Sequence, residues 1–180
     1  MNTRRLLKSR FLWCSIILLS IPQLISAQDD QAIEYLGNVN NYSSLGYNDC
    51  WGYTAPDGRE YALLGVYNGL SIIDVTDVSQ SKEVAFIRGN GSGWRDVKTY
   101  LHYAYVVNED GGGMQVINLE NLPESASLVK TYTDFSTSHN IFINEETGVL
   151  YAEGTGSRPV RTIKIDRPEQ PRQVSTFGIA

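Results

Sequence analysis

The stretch YALLGVYNGLSIID, residues 61–74, decides the fold because related stretches recur twice further along the chain. They are YAYVVNEDGGGMQVIN at residues 103–118 and YAEGTGSRPVRTIKID at residues 151–166. The first tyrosines of successive copies are 42 and 48 residues apart, and the last residues of the copies are 44 and 48 apart. Short strands that recur every ~40–50 residues are typical of β-propeller blades. The sequence therefore predicts an all-β propeller of four-stranded antiparallel blades.

Each copy lies within a unit of four predicted strands, and the units span about residues 48–89, 93–134 and 138–178. Runs of roughly four to eight residues rich in Val, Ile and Tyr alternate with turns that contain Gly, Asn, Asp or Pro. Residues 55–58 (APDG) and 67–69 (YNG) are strong turn sequences. About three blades are predicted.

Closed propellers have about 4–8 blades, so three blades predict a truncated ring, roughly its first half. Remaining blades, or another chain, are then needed to close it. Residues 33–39 (IEYLGNV) resemble the last strand of each blade and are predicted to be a ring-closing strand. The alternative is a complete small β-domain with exposed edges, which we disfavour because uncovered blade faces tend to associate.

The first 27 residues have the layout of a secretory signal peptide. Four basic residues precede an apolar run at 11–25, and Ser26-Ala27 offers a cleavage site. The run contains Pro22 and is shorter than the ~20 apolar residues of a membrane-spanning helix, which favours cleavage over an uncleaved anchor. We therefore expect a signal peptide at 1–27, a short mature segment at 28–32 and a partial propeller at 33–180. The mature chain would have no transmembrane span and would be secreted, at the cell surface or in the extracellular space, or periplasmic.

Loss of residues 1–27 removes four positive and no negative charges, which takes the formal net charge from −5 to −9. An acidic chain without a basic stripe argues against a nucleic-acid partner. Cys50 is then the one remaining cysteine. It is a buried apolar residue, a reactive thiol, or half of a disulfide whose partner lies outside this chain; the first interpretation is favoured.

Several motifs, taken in order and spacing, resemble the LVIVD-repeat propellers and specifically the choice-of-anchor B family. They are NDCWGY at 48–53, GLSIIDVTD at 69–77, WRDVK at 94–98, GMQV at 113–116 and SHNI at 138–141. The resemblance implies a secreted or surface-displayed bacterial propeller held by a C-terminal anchor that varies between members, and it implies no known reaction. The chain departs from the family because the later blades and the anchor are absent, and the third repeat offers no partner for Cys50.

The starts of the innermost strands surround the channel of a propeller, so polar residues there are candidates for a ligand site. Aligning the repeats by sequence places Cys50-Trp51, Arg95-Asp96 and His139-Asn140 at equivalent positions. The candidate binding residues are Asp49, Trp51, Trp94, Arg95, Asp96, His139 and Asn140.

Each of these side chains has a functional and a structural interpretation. Arg95 can clamp a carboxylate or phosphate, and the tryptophans can stack on a sugar. Asp49, Asp96 and His139 can share a metal or hold a water. Alternatively the same side chains join neighbouring blades by hydrogen bonds and packing, which is favoured because repeated polar residues often serve repeat packing.

Catalytic signatures are few: the chain has two histidines, and neither belongs to an HExxH metal motif. We predict no catalytic residues and no cofactor, although calcium or another divalent metal stays a candidate. The favoured function is a binding or interaction module for a protein or glycan. The alternative is an exported metal-assisted or polar-cluster hydrolase or lyase with its site at the channel mouth.

Overall fold

The computed structural model describes residues 34–178. The signal peptide predicted for residues 1–27, the segment predicted at 28–32 and the first residue of the predicted ring-closing strand lie outside the described residues.

The described chain forms three consecutive antiparallel sheets of four strands each. The first blade comprises β1 (Tyr47–Thr54), β2 (Glu60–Val66), β3 (Gly69–Asp74) and β4 (Lys82–Arg88). The second comprises β5 (Arg95–Tyr100), β6 (Tyr103–Asn108), β7 (Met114–Asn118) and β8 (Ser127–Tyr132). The third comprises β9 (Asn140–Asn144), β10 (Val149–Thr155), β11 (Arg158–Lys164) and β12 (Arg172–Phe177). A short 3₁₀ helix, Val78–Gln80, lies between β3 and β4.

Strands within each blade follow one another in sequence order, so each blade is an up-and-down meander. The prediction of an all-β fold with about three four-stranded blades is confirmed, and the three sheets do not close into a ring. The closest contacts between blades join β1 to β5 and β5 to β9. The first strand of each blade is therefore innermost, as the sequence predicted.

Two apolar cores hold the three blades together. The first core lies between blades one and two and includes Leu63, Ile72, Val97 and Val106, all buried. The second lies between blades two and three and includes Tyr105, Met114, Ile141 and Leu150. Successive residues of one strand point to opposite faces of the sheet, so a blade with a neighbour on each side must be apolar on both faces. In the middle blade, every residue of β6 is accordingly buried.

In each blade, one backbone hydrogen bond joins the residue after the third strand to a residue at the start of the second strand. These three bonds define which residues of the blades are equivalent. Val75 N donates to Glu60 O, Leu119 N donates to His102 O, and Ile165 N donates to Gly148 O, all at 2.8–2.9 Å. Tyr61 and Tyr103 are thus equivalent to Val149, and Tyr151 lies two residues further along. The third blade has the same strand arrangement as the others, but its tyrosine lies two positions later in the second strand.

Residues 34–40 form no strand, and a turn follows at residues 41–45. Tyr42 in this turn stacks on Phe86 of β4, with ring centroids 5.2 Å apart, and donates a hydrogen bond to Glu83. The ring-closing role of residues 33–39 stays a prediction. Within residues 34–178 no helix has the length and apolar character needed to cross a bilayer.

Candidate ligand-binding site on the innermost strands

The innermost strands form the wall of a depression of about 510 Å³. Its lining comes from the start of each first strand, which is where the sequence predicted a site. The lining residues are Tyr47, Asn48, Asp49, Trp94, Asp96, Lys98, Asn140 and Ile141. Four of the seven predicted site residues, Asp49, Trp94, Asp96 and Asn140, are therefore brought together. Arg95, His139 and Trp51 are placed beside the depression or behind its wall.

Two of the lining carboxylates also join neighbouring blades. Asp49 Oδ2 accepts a hydrogen bond from Val97 N at 3.3 Å, and Asp96 Oδ2 accepts one from Ile141 N at 2.6 Å. In both cases the acceptor is on one innermost strand and the donor is on the innermost strand of the next blade. Asp49 and Asp96 therefore join neighbouring blades, and their oxygens are partly occupied.

These contacts change the alignment expected from the sequence. Asp49 and Asp96 occupy equivalent positions, and the same spacing makes Asn140 the third member of the series. The sequence alignment had instead matched Trp51 with Asp96 and Asn140, which is a shift of two residues. The structural reason is the longer first hairpin of the first blade: Tyr53 pairs with Tyr61, whereas its equivalent Tyr100 pairs with Tyr103.

Lys98 lies at the centre of the depression and connects the two carboxylates. Its Nζ makes a short contact with Asp96 Oδ1 and lies 3.5 Å from Asp49 Oδ2. The ammonium also lies 4.5 Å from the centroid of the Trp51 ring, within the range of a cation–π contact. Lys98 therefore compensates the negative charge of the pair and fixes one face of Trp51.

The two carboxylates have opposite pKa shifts. Burial, followed by the hydrogen bond with Asp49, raises the pKa of Asp96. Partial burial opposes ionisation of Asp49 as well, but the hydrogen bond with Asp96, the charge of Lys98 and the N–H of Val97 together lower its pKa. Two interacting carboxylates behave as a pair, in which Asp96 holds a proton more readily than Asp49 does.

Arg95 is a blade tie rather than a ligand clamp. Its side chain is 1% exposed and points between the first two blades. Nε donates to Val66 O at 3.0 Å, and Nη2 donates to Tyr67 O at 3.1 Å and to Asn90 O. These carbonyl groups take three of the five N–H donors of a buried guanidinium, so we assign Arg95 to joining the blades. The space for the side chain depends on Gly65, where an added Cβ would lie 3.3 Å from Arg95 Cβ.

Trp94 forms a rigid platform with His139 at the boundary of blades two and three. The two rings are parallel within 4°, with centroids 4.7 Å apart, and Trp94 Nε1 donates to His139 O at 2.7 Å. His139 Nδ1 lies 2.6 Å from Glu109 Oε1 in the second blade. Trp94 nevertheless remains 41% exposed. An indole that is fixed in orientation and still open to solvent is suited to stacking against a flat ligand surface.

Trp51 and Cys50 lie on opposite faces of β1. Trp51 is 38% exposed and donates from Nε1 to Thr99 Oγ1 of the second blade at 3.1 Å. Cys50 is a free and exposed thiol, so the favoured interpretation of a buried apolar cysteine is wrong. The face of β1 that carries Cys50 points away from the second blade and is not covered by it. Partial burial and the charge of Asp49 raise the pKa of this thiol. The disulfide with a partner outside the chain stays a prediction.

A shared metal at Asp49, Asp96 and His139 finds no support in the geometry. Within residues 34–178, no group of three or more His, Cys, Asp or Glu side chains is placed to hold a metal ion. His139 turns instead toward Trp94 and Glu109, away from the two aspartates' contact with Lys98.

Sequence reasoning missed several contributors to the site, among them Lys98, Asn48 and Glu109. Lys98 could have been found from strand periodicity, because it lies two residues after Asp96 and thus on the same face of β5. Asn48 is equivalent to Arg95, and its Oδ1 is buried without a hydrogen-bond partner. Glu109 lies in the turn after β6, and no pattern in the sequence connects it to His139, 30 residues away.

Comparison with models of known protein families finds no match to this chain. Comparison with curated proteins likewise finds none. The interpretation of the site therefore depends on its geometry and on the motifs described above.

Proposed function

We propose that this chain is a secreted or cell-surface β-propeller module that binds a ligand in the depression on its innermost strands. The carrying observation is Trp94, which is held by His139 and remains 41% exposed at the wall of a polar depression. Export is supported by the signal-peptide layout of residues 1–27. The motif resemblance supports membership of the LVIVD-repeat, choice-of-anchor B propellers.

A neutral glycan is the ligand class that suits this depression best. Sugar rings present apolar C–H faces that stack on an indole and hydroxyls that pair with amide and carboxylate groups. Trp94 supplies the indole, and Asn48, Asp49 and Asn140 supply polar groups around it. Lys98 is already paired with Asp49 and Asp96, so the wall offers little net positive charge to an acidic sugar.

A titration with neutral and acidic oligosaccharides, followed by tryptophan fluorescence and calorimetry, tests this proposal. We expect a neutral oligosaccharide to bind and Trp94→Ala to weaken binding at least tenfold, because stacking on an aromatic ring is lost. Trp94→Phe should retain part of the affinity. Leu128→Ala is a matched control, since Leu128 is similarly exposed but lies on the outer strand β8. Equal affinity of Trp94→Ala and the wild type would refute a site at this wall.

A second candidate, an exported hydrolase or lyase, is favoured by the unequal pKa shifts of Asp49 and Asp96. Acid–base catalysis commonly uses two carboxyl groups with different pKa values. Against it, Asp49 and Asp96 each already accept a backbone hydrogen bond from the next blade, which leaves fewer lone pairs for a reacting group. Turnover of a bound oligosaccharide that is abolished by Asp96→Asn, with binding unchanged, would favour the enzyme.

A further inference from the structure

One face of the third blade points away from the second blade. Apolar residues that are buried at equivalent positions of the first two blades are exposed on this face. Strand pairing places Leu70 opposite Ile87 in the first blade and Met114 opposite Tyr132 in the second. All four residues are buried in the cores between blades. The equivalent pair in the third blade is Val160 and Phe177. Phe177 is 59% exposed, and Phe142 on the same face is 58% exposed.

Asn140 adds a polar feature to this face. It is the third member of the series in which Asp49 and Asp96 accept a hydrogen bond from the innermost strand of the following blade. Its amide oxygen can accept the same hydrogen bond as the carboxylates do. The surface thus has both the apolar and the polar part of a blade-docking face. We call it the forward face of the third blade, consisting of Asn140, Phe142, Tyr151, Val160 and Phe177.

The first blade carries a face of matching type on its opposite side. Val97 pairs with Val106 in the second blade and Ile141 pairs with Ala152 in the third, and all four residues are buried against the preceding blade. The equivalent pair in the first blade is Cys50 and Leu64. Cys50 is exposed and Leu64 is only partly buried. We call the surface formed by Cys50, Ala62 and Leu64 the rear face of the first blade.

We propose that the forward face of the third blade binds the rear face of the first blade in a second copy of this chain. The N–H of Cys50 holds the position of the N–H groups of Val97 and Ile141, although it also donates to the Asp49 carboxylate of its own chain, so Asn140 of a second copy would share this donor with Asp49. Two such contacts, related by a two-fold axis, close a ring of six blades, which is within the usual range of propellers. The turn that carries Tyr42 covers Phe86 on the outermost strand and leaves Cys50 on the innermost strand exposed. The proposal is independent of the ligand.

Sedimentation of the purified chain at several concentrations tests the association. We expect a dimer for the wild type and a monomer for Phe177→Glu, because a charge on the forward face would be buried without a partner. Val129→Glu is the control, since Val129 is an exposed apolar residue of β8 outside this face. Far-UV circular dichroism verifies that both variants are folded. A monomeric wild type would overturn the proposal. A dimer that survives Phe177→Glu would overturn it as well.

Cross-linking tests the head-to-tail geometry. In a Cys14→Ser background, Asn140→Cys should place a new thiol beside Cys50 of the second copy. We expect a short thiol-reactive cross-linker to give a covalent dimer that disappears when Cys50→Ser is added. A covalent dimer that persists without Cys50 would show a different arrangement and overturn the proposed geometry.

Discussion

The Asp96 carboxylate accepts a 2.6 Å hydrogen bond from the backbone N–H of Ile141, across the boundary between the second and third blades. Asp49 makes the equivalent contact with Val97 one blade earlier. The blades are therefore joined by apolar cores on their faces and also by one side chain to backbone contact at each innermost strand. This places stabilising residues in the wall of the candidate binding site.

Asp96→Ala should destabilise the fold by about 3 kcal/mol, because Ile141 N–H loses its acceptor and Lys98 loses its closest partner. Asp96→Asn retains an acceptor for Ile141 and should cost about 1 kcal/mol. Urea unfolding followed by circular dichroism measures both. Equal stability of the two variants would contradict the role of Asp96 as a blade tie.

Arg95→Ala should cost about 3 kcal/mol or more, because three carbonyl groups between the first two blades lose their donor. Arg95→Lys keeps the charge but cannot reach all three carbonyls, so we expect most of the loss to remain. Thermal unfolding of both variants provides the measurement. If melting is unchanged while ligand affinity falls, Arg95 is a ligand residue and the tie is refuted.

Glu109→Gln should change stability by less than about 1 kcal/mol, although Glu109 lies only 2.6 Å from His139. Both side chains are about half exposed, and exposed ion pairs contribute little because water screens them. The same unfolding experiment compares the loss of unfolding free energy in Glu109→Gln with that in Asp96→Ala. A loss as large as that of Asp96→Ala would mean that the Trp94–His139 platform is a major stabilising contact.

Stability should decrease in acid partly through Asp74, whose pKa is lowered mainly by the hydrogen bonds from Thr76; burial opposes this shift, and the charges of Arg59 and Lys82 add to it. A carboxylate with a lowered pKa stabilises the fold above its unfolded pKa of about 3.9, and this contribution is lost as pH falls through the folded value. Asp74→Asn should therefore lessen the change in unfolding midpoint between about pH 4 and pH 2. The same residue type already stands at the equivalent position, where Asn118 accepts from Glu120 N at 2.8 Å. An unaltered acid dependence in Asp74→Asn would refute this assignment.

The Cys50 thiol should react with a water-soluble disulfide reagent in the folded protein, because it is exposed. Because its pKa is raised, the thiol should react slowly at neutral pH. Its labelling rate should rise with pH over a higher pH range than that of an unperturbed cysteine. The Cys14→Ser variant isolates the signal of Cys50. Labelling that requires denaturant would contradict the exposed position.

The strands of this protein follow from its sequence to within a few residues. Alternating apolar residues such as those of β2 and turn residues such as Asn68-Gly69 are local signals, and each hairpin forms between segments adjacent in sequence. The same locality explains why the innermost strands could be predicted as the location of the candidate site. Local patterns do not show where strand pairing begins on either side of a turn, however, and the first hairpin is longer in the first blade than in the second, so the sequence alignment of Trp51 with Asp96 was displaced by two residues.

The roles of individual site residues could not be predicted in this way. Arg95 and Asp96 are adjacent in β5 and both are polar, yet Arg95 points toward the first blade and Asp96 toward the third. Strand geometry requires opposite directions, but only the packed blades show which carbonyl or N–H each side chain meets. Cys50 and Trp51 likewise belong to one strand, and Trp51 faces the second blade, where it contacts Lys98 and Thr99.

The sequence by itself determined the all-β architecture, the number of described blades and the position of the candidate site, because these depend on strand periodicity, turn chemistry and repeat length. Tertiary structure alone decided that Asp49 and Asp96 accept hydrogen bonds from the next blade, that Arg95 is buried and that Trp94 is held against His139. The physical reason is distance along the chain. These contacts join residues that are 28 to 48 positions apart, and they form only when whole blades pack against one another.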